Sequence, residues 1–519
     1  MNLFDPIKLE IFKNLFSSVA DEMGVVLQRT GFSPNIKERL DFSCAVFDGA
    51  GEMVAQAAHI PVHLGSMPLS VKSAIESLEM EPGDVVILND PFRGGTHLPD
   101  VTMVAPVFLD QNRPQFYVAN RAHHADIGGL MPSSMPLSTS IYQEGLIIPP
   151  VKLVSRGKIQ KDLLSVILAN VRTPVEREGD ISAQLAACET GSRRLFELHA
   201  RYGLTELRTA ASALMDYAET LMRHTIGGIP DGVYSFEDFL DDDGLGAERI
   251  PIRVAVTIQR DTASVDFTGS APQVAGCVNA VFAITVSCVF YVFRCLTDEM
   301  VPSNAGCLRP IRVSVPEHSV VNAAPPAAVV GGNVETSQRI VDVLLGALSA
   351  AMPEKIPAAS CGSMNNVSIG GYDCIRNRMF TYYETLAGGM GARPQKDGLD
   401  AVHTHMTNTM NTPVEVIETT YPLKVVQYAI RPGSGGRGRR NGGNGLVREY
   451  ELLCASEVSV LSERRLFAPY GIAGGEAGRK GENLIFKDGH WQSLPPKINM
   501  QCSAGSRLRI MTPGGGGYG

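Results

Sequence analysis

Two segments constrain this chain more than any others: Asn89-Asp-Pro-Phe-Arg-Gly-Gly-Thr-His-Leu-Pro-Asp100 and Asn120-Arg-Ala-His-His-Ala-Asp-Ile-Gly-Gly129. Three of the eleven histidines and several carboxylates fall inside them. Imidazole nitrogen and carboxylate oxygen together suit a divalent transition metal such as zinc or manganese. In His97-Leu-Pro-Asp100 a turn stiffened by Pro99 would bring the two end side chains to the same side. One histidine in a glycine-rich loop is more often a satisfied polar residue. Three of them, with Asp100 and Asp126 alongside, point to a metal site. Asp41, at the mouth of the alternating stretch Arg39–Asp48, reads either as a turn former or as a ligand alongside His97, Asp100 and His123.

The flanking pattern places these residues on a sheet. A helix starts at Asp5-Pro6, with Asp as N-cap, and repeats Ile7, Ile11, Leu15, Val19 and Met23 until Gly31 stops it. Residues 41–57 read as a hairpin, 66–79 as a short helix, and 85–88, 101–108 and 115–122 as strands. The candidate ligands therefore fall at strand ends and in connecting loops, where sites usually sit on a rigid scaffold. Residues 160–225 are helical in period, strand patterns return near 232–240, 251–268 and 308–321, and 341–351 should be a helix. Short strands and glycine turns dominate from about 360 onward. The expected class is α+β and multi-domain: a β-rich metal-site domain at 1–155, a helical segment at 156–228, an α/β domain at 229–355 and a glycine-rich β/loop domain at 356–519.

A chain of 519 residues has length for two to four domains and a sizeable core. A net charge of −8 gives no electrostatic reason to expect nucleic acid or an anionic membrane as partner. The most apolar run, 280–293, is too short to span a bilayer and reads as a core helix. Ten scattered cysteines without a C-x-x-C pair, and no signal-peptide pattern, are expected of reduced, mostly buried thiols in a cytoplasmic protein. Asp241-Asp-Asp243 lacks the alternation of a calcium loop and reads as a solvated turn.

Nucleotide and acyl-enzyme motifs are missing. There is no G-x-x-x-x-G-K-[ST] cradle, no G-x-S-x-G elbow, no H-E-x-x-H helix and no cysteine beside a histidine. Around the candidate ligands, three residues are candidate catalytic groups: His124, Asp126 and His59. His123 and His124 face opposite ways if the segment is extended, so only one can bind a metal. Asp126 could orient a ligand imidazole. His59 and His63 share a Pro-containing segment, in which a structural role or support of a ligand from behind is commoner for each than catalysis. His403 and His405 lie two apart on an expected strand, read as the polar lining of a cavity ahead of a second metal site. The loop carrying Arg437, Arg439 and Arg440 reads either as a mobile anion- or partner-binding loop or as a flexible linker. Composition alone would make the Pro513–Gly519 tail disordered.

Glu38-Arg-Leu-Asp-Phe-Ser43, His59-Ile-Pro-Val-His-Leu-Gly-Ser-Met67, the two opening segments and Gly332-Asn-Val-Glu-Thr-Ser-Gln338 occur in an order that resembles the B subunit of the hydantoinase/oxoprolinase family. The resemblance continues through Ala401-Val-His-Thr-His-Met-Thr-Asn408, Tyr428–Gly436 and the tail. It implies a B subunit of an ATP-dependent cyclic-amide hydrolase acting on hydantoin, 5-oxoproline or a related lactam. One divalent metal, zinc or manganese, would be held by Asp41, His97, Asp100 and His123, with His123 preferred over His124 on the family pattern. The metal would activate a water toward a carbonyl phosphorylated by a partner A subunit, which would hold ATP and magnesium. The assembly would be a hetero-oligomer with several copies of each chain, and a docked tail becomes plausible. Other readings are a subunit of an ATP-dependent ketone carboxylase, or a silent scaffold for the A subunit.

Overall fold

The computed structural model describes residues 5–57, 60–110, 113–298 and 301–519. Helix and sheet are mixed throughout, in four sheets, which is the α+β class expected. The first sheet carries seven antiparallel strands: β1 (Phe42–Asp48), β2 (Met53–Gln56), β3 (Val85–Leu88), β4 (Asp100–Val107), β5 (Phe116–His123), β6 (Val151–Ser155) and β7 (Lys158–Ile159). Their order across the sheet is β2-β1-β5-β4-β3-β6-β7.

Both faces of this sheet are covered, so its strands β4 and β5 are buried along their whole length. On one face lies helix Pro6–Thr30, opened by the Asp5 side chain accepting from Ile7 N, together with helix Pro174–Tyr202. Phe16 meets Phe116 of β5 with ring centroids 5.9 Å apart, and Phe12 meets Tyr202 at 5.1 Å. On the other face lies helix His63–Ser77, which begins three residues earlier than expected, backed by the apolar helix Phe282–Leu296. The two helices touch at Gly65, where any Cβ would stand 2.8 Å from Ser287 N. Arg121 of β5, fully buried, bridges the layers through Ser66 Oγ, Ser70 Oγ and Thr102 Oγ1 at 2.6–2.8 Å.

A four-stranded sheet follows between residues 232 and 314, covered by helix Ser337–Ala351. Two further sheets are built from strands between 366 and 511 and interleave along the chain. One apolar core runs from Phe12 to Leu461, and a second lies between Val367 and Ile510.

Several expectations are corrected here. Asp241 and Asp243 do not form a solvated turn. Both are buried, and they accept main-chain N–H groups of Arg465 and Phe467, and of Leu245, Ala247 and Gly276, respectively. His403 and His405 are not on a strand, and His405 takes a left-handed backbone with φ 59°. Two cysteines are not free thiols: Cys374 and Cys454, 80 residues apart, are joined in a disulfide. The arginine loop is not a free linker. Arg440 N donates to Tyr518 O, Gly436 N to Gly515 O and Gly515 N to Gly443 O, so loop and tail form one closely packed layer. A tail read as disordered by composition is thus docked, with residues 513–518 buried.

Candidate metal centre

The registers of β1, β5 and β4 bring three strand ends into line. Phe42 pairs with Ala122 and Asp100 with His123, so Asp41 falls beside His123, whose N–H donates to Asp41 O at 3.0 Å. His97 arrives from the loop before β4. The turn read from His97-Leu-Pro-Asp100 is closed by Asp100 N donating to His97 O at 3.1 Å. Asn89 staples that loop through Leu98 O, Leu146 O and Ile148 N. Gly94, at φ 88°, passes so close to the helix beneath it that a Cβ would lie 2.4 Å from Leu69 C.

His97 Nε2, His123 Nδ1 and Asp100 Oδ1 are each 3.2 Å from the other two. All three residues are buried. Donor atoms bound to one ion at about 2.0–2.1 Å stand about 2.9–3.4 Å apart, for bond angles between about 90° and 109°. Three mutual hydrogen bonds cannot satisfy such a triangle, because two facing imidazole nitrogens and one carboxylate oxygen cannot all point protons at one another. A cation at the centre can. Among the described residues this is the one group of three or more such side chains able to hold a metal.

Burial works to raise the Asp100 pKa, but the surrounding imidazoles, His97 foremost, outweigh it and hold the carboxyl well below the usual range. Burial lowers the pKa of His123. Ionised carboxylate and neutral imidazole are the forms that ligate. His63 Nε2 stands 3.3 Å from Asp100 Oδ2, and its Nδ1 is 2.9 Å from Ser43 Oγ. Thr96 Oγ1 donates to the same Asp100 oxygen. Tyr383, on strand Arg378–Thr385, stacks on His123 at 4.6 Å and 15°, and donates its hydroxyl to Asn366 Oδ1. Among the described residues the outer nitrogens His97 Nδ1 and His123 Nε2 have no hydrogen-bond partner, and the Tyr383 ring packs against the His123 ring. Asp100 and His123 border a cavity of about 20 Å³, room for about one water. Its wall includes Asp41, His63, Asn333, Tyr383, Thr385, Met406 and Thr409.

The sequence candidates are distributed as follows. His97, Asp100 and His123 converge. Asp41 lines the same cavity, with its carboxylate 3.5 Å from Arg39 Nη2. His124 faces away, as alternation requires, toward Gln184 Oε1 at 2.8 Å, and burial, then Arg177, brings its pKa down to about 4. Asp126 does not orient a ligand imidazole. Its carboxylate accepts from the main-chain N–H and guanidinium of Arg172 at 2.6 and 2.9 Å, because the chain has already turned away from the strand end. His59 lies outside the described residues. The sequence reading gave no part to Tyr383, Thr96 or Asn333, and it weighed His63 as a structural histidine or one supporting a ligand, which is where its contact with Asp100 puts it. Asn333 lay within a quoted motif, but nothing in its spacing tied it to residue 97.

A buried His/Asp/His cluster at the aligned strand ends of a sheet covered on both faces is a site able to hold a metal ion. A family model described as hydantoinase B/oxoprolinase matches residues 5–519, and the chain belongs to that family. It is 39% identical over 548 residues to 5-oxoprolinase 1 of Arabidopsis thaliana, covering 100% of this chain but 42% of that protein. The chain thus spans under half the length of that relative. It is 33% identical to a D-/L-hydantoinase B chain of Pseudomonas sp. strain NS671, covering 99% of this chain and 90% of that one. Its structure matches the crystal structure of the ATP-dependent caprolactamase from Pseudomonas jessenii with a TM-score of 0.92 at 30% identity, covering 100% and 92% of the two chains. Nucleotide-free acetone carboxylase matches with a TM-score of 0.92 at 18% identity, over 99% and 76%, a likeness of fold alone.

Proposed function

We propose that this chain is the B-type component of an ATP-dependent cyclic-amide hydrolase that opens hydantoin, 5-oxoproline or a related lactam. The His97–Asp100–His123 cluster carries this reading. A zinc or manganese ion held there, with Asp41 turned in from the same cavity as a further ligand, would lower the pKa of a bound water and supply hydroxide near neutral pH. The chain's own groups hold that arrangement in place. His63 and Thr96 fix Asp100, Tyr383 fixes the His123 ring, and His124 and Asp126 anchor neighbouring segments through Gln184 and Arg172.

An amide carbonyl is a poor electrophile because resonance feeds it electron density. Phosphorylation of its oxygen by a separate A-type chain, holding ATP and magnesium, would remove that obstacle. Two observations support the division of labour: the Pseudomonas sp. relative is named as one component of a multi-chain hydantoinase, and this chain lacks a Walker-type nucleotide cradle. The two chains would form a stable hetero-oligomer.

The test is a coupled ATPase assay on the co-expressed pair, offering lactams in one arm and ketones plus bicarbonate in the other. Lactam-dependent ATP hydrolysis is expected. Substrate carrying heavy oxygen at the carbonyl should deliver its label to phosphate. The first water adds to the phosphorylated carbonyl carbon and the ring nitrogen leaves with a proton. A second water then displaces phosphate from the resulting acyl phosphate by carbon–oxygen cleavage, which carries the labelled oxygen away. Label retained entirely in the product carboxylate rejects this route, and bicarbonate-dependent turnover of a ketone replaces the hydrolase reading with a carboxylase.

A further inference from the structure

Two side chains on the cavity wall carry a buried polar atom with no hydrogen-bond partner among the described residues, the candidate ligand His123 and Asn333. Asn333 is 4% exposed, it lines the cavity, and among the described residues its Oδ1 has no hydrogen-bond partner. It sits in a π-helical turn, Gly332–Thr336, leading directly into helix Ser337–Ala351. Such turns change the direction of side chains on an otherwise regular helix and are frequent at functional sites. This one is pressed against the loop opposite: a Cβ on Gly332 would lie 1.9 Å from Asn279 O. The Asn333 carbonyl is taken by the Ser337 hydroxyl at 2.6 Å, so the backbone of the turn is satisfied and only the side-chain amide is left to account for.

That amide approaches the metal donors. Its Nδ2 position stands 3.1 Å from His97 Nε2, one of the three converging atoms. The spacing equals one edge of a coordination polyhedron, within the range of about 2.9–3.4 Å expected for atoms bound to one ion at about 2.0–2.1 Å. The two ends of an amide differ only in their hydrogen bonds, and turning the group by half a circle exchanges them. With nitrogen toward His97, the amide presents N–H to the place a cation would take, which is repulsive, while its oxygen goes unused. With oxygen there, the amide offers a neutral hard donor of the kind that suits manganese and other oxygen-seeking ions.

We propose that Asn333 is itself a metal ligand, binding through Oδ1 beside His97, Asp100 and His123. The proposal rests on the cluster holding a divalent ion, and the test separates the two claims. Cobalt(II) is titrated into the full-length wild type, Asn333→Ala and Asn333→Asp, with affinity read by chelator competition and coordination by the visible absorption bands. For Asn333→Ala we expect affinity to fall about ten- to a hundredfold, with bands shifted and intensified as coordination number drops. Asn333→Asp keeps an oxygen in place and should retain the wild-type bands with equal or tighter binding. If the wild type binds cobalt and Asn333→Ala superimposes on it in affinity and spectrum, Asn333 is not a ligand. Should Asn333→Ala fail to fold, Asn333→Asp alone decides, since displaced bands with weakened binding also overturn the assignment. A wild type that takes up no cobalt, alone or with its A-type partner, overturns the metal reading itself.

Discussion

At the scale of single residues, the site turns on which of two neighbouring imidazoles looks inward. β5 presents Arg121 and His123 to one face, while Asn120 and His124 both bond Gln184 on the other. Period-two alternation made that opposition legible from the sequence, though not which of the two faced the ligands. The consequence is measurable. Replacing His123 with Ala should reduce bound metal from about one ion per chain to near none, since it deletes one of three converging donors. Replacing His124 with Ala should leave metal content intact and cost stability instead, about 1–3 kcal/mol for stranding a buried Gln184. Elemental analysis paired with urea unfolding distinguishes the two. Equal metal loss in both variants would mean that the assignment of the inward ring is mistaken.

At the scale of elements, what the sequence disclosed was local. The Asp5-capped helix, the 41–57 hairpin, the strands of the first sheet and the helices between 160 and 227 were readable because each is set by its own periodicity and caps. The turn at His97–Asp100 was readable for the same reason. Hidden were contacts between segments far apart: Tyr383 on His123, Asn333 near His97, Cys374 with Cys454. Those depend on how sheets stack, which no local pattern encodes. The glycine-rich layer is the clearest case, because low complexity usually signals disorder. Here glycine permits backbone to touch backbone. A Cβ on Gly516 would stand 2.0 Å from Tyr470 O, whereas one on Gly227, at a helix end, would meet nothing nearer than 3.8 Å. Gly516→Ala should therefore lower stability by about 1–3 kcal/mol through forced backbone shifts, and Gly227→Ala should be neutral or stabilising by up to about 1 kcal/mol. Thermal unfolding of the pair checks this, and a Gly516→Ala protein as stable as wild type would contradict the packing described.

Across the whole molecule, stability should depend on pH through carboxyls that the fold keeps dry. Glu144 accepts from Ser138 Oγ, Val329 N and Val330 N, tying the first sheet's loops to the middle of the chain, and burial raises its pKa from 4.5 to about 8. A folded pKa above the unfolded one means that the native state keeps a proton the unfolded chain releases. The contribution is therefore complete below 4.5 and lost as pH rises through about 8. Glu144→Gln should flatten the decline in unfolding free energy over that window, measured by urea titration at successive pH values. An unchanged slope would show that Glu144 is not the group responsible. The small cavity at the metal donors bears on rates rather than stability. Space for about one water does not hold a five-membered ring, so on the proposed function the described wall, which includes Met406 and Thr409, would have to move for such a substrate to reach the donors. Opening of that kind takes microseconds to milliseconds. Turnover would then follow solvent viscosity, and replacing Met406 with a smaller side chain should quicken entry while letting bulk water into the cavity.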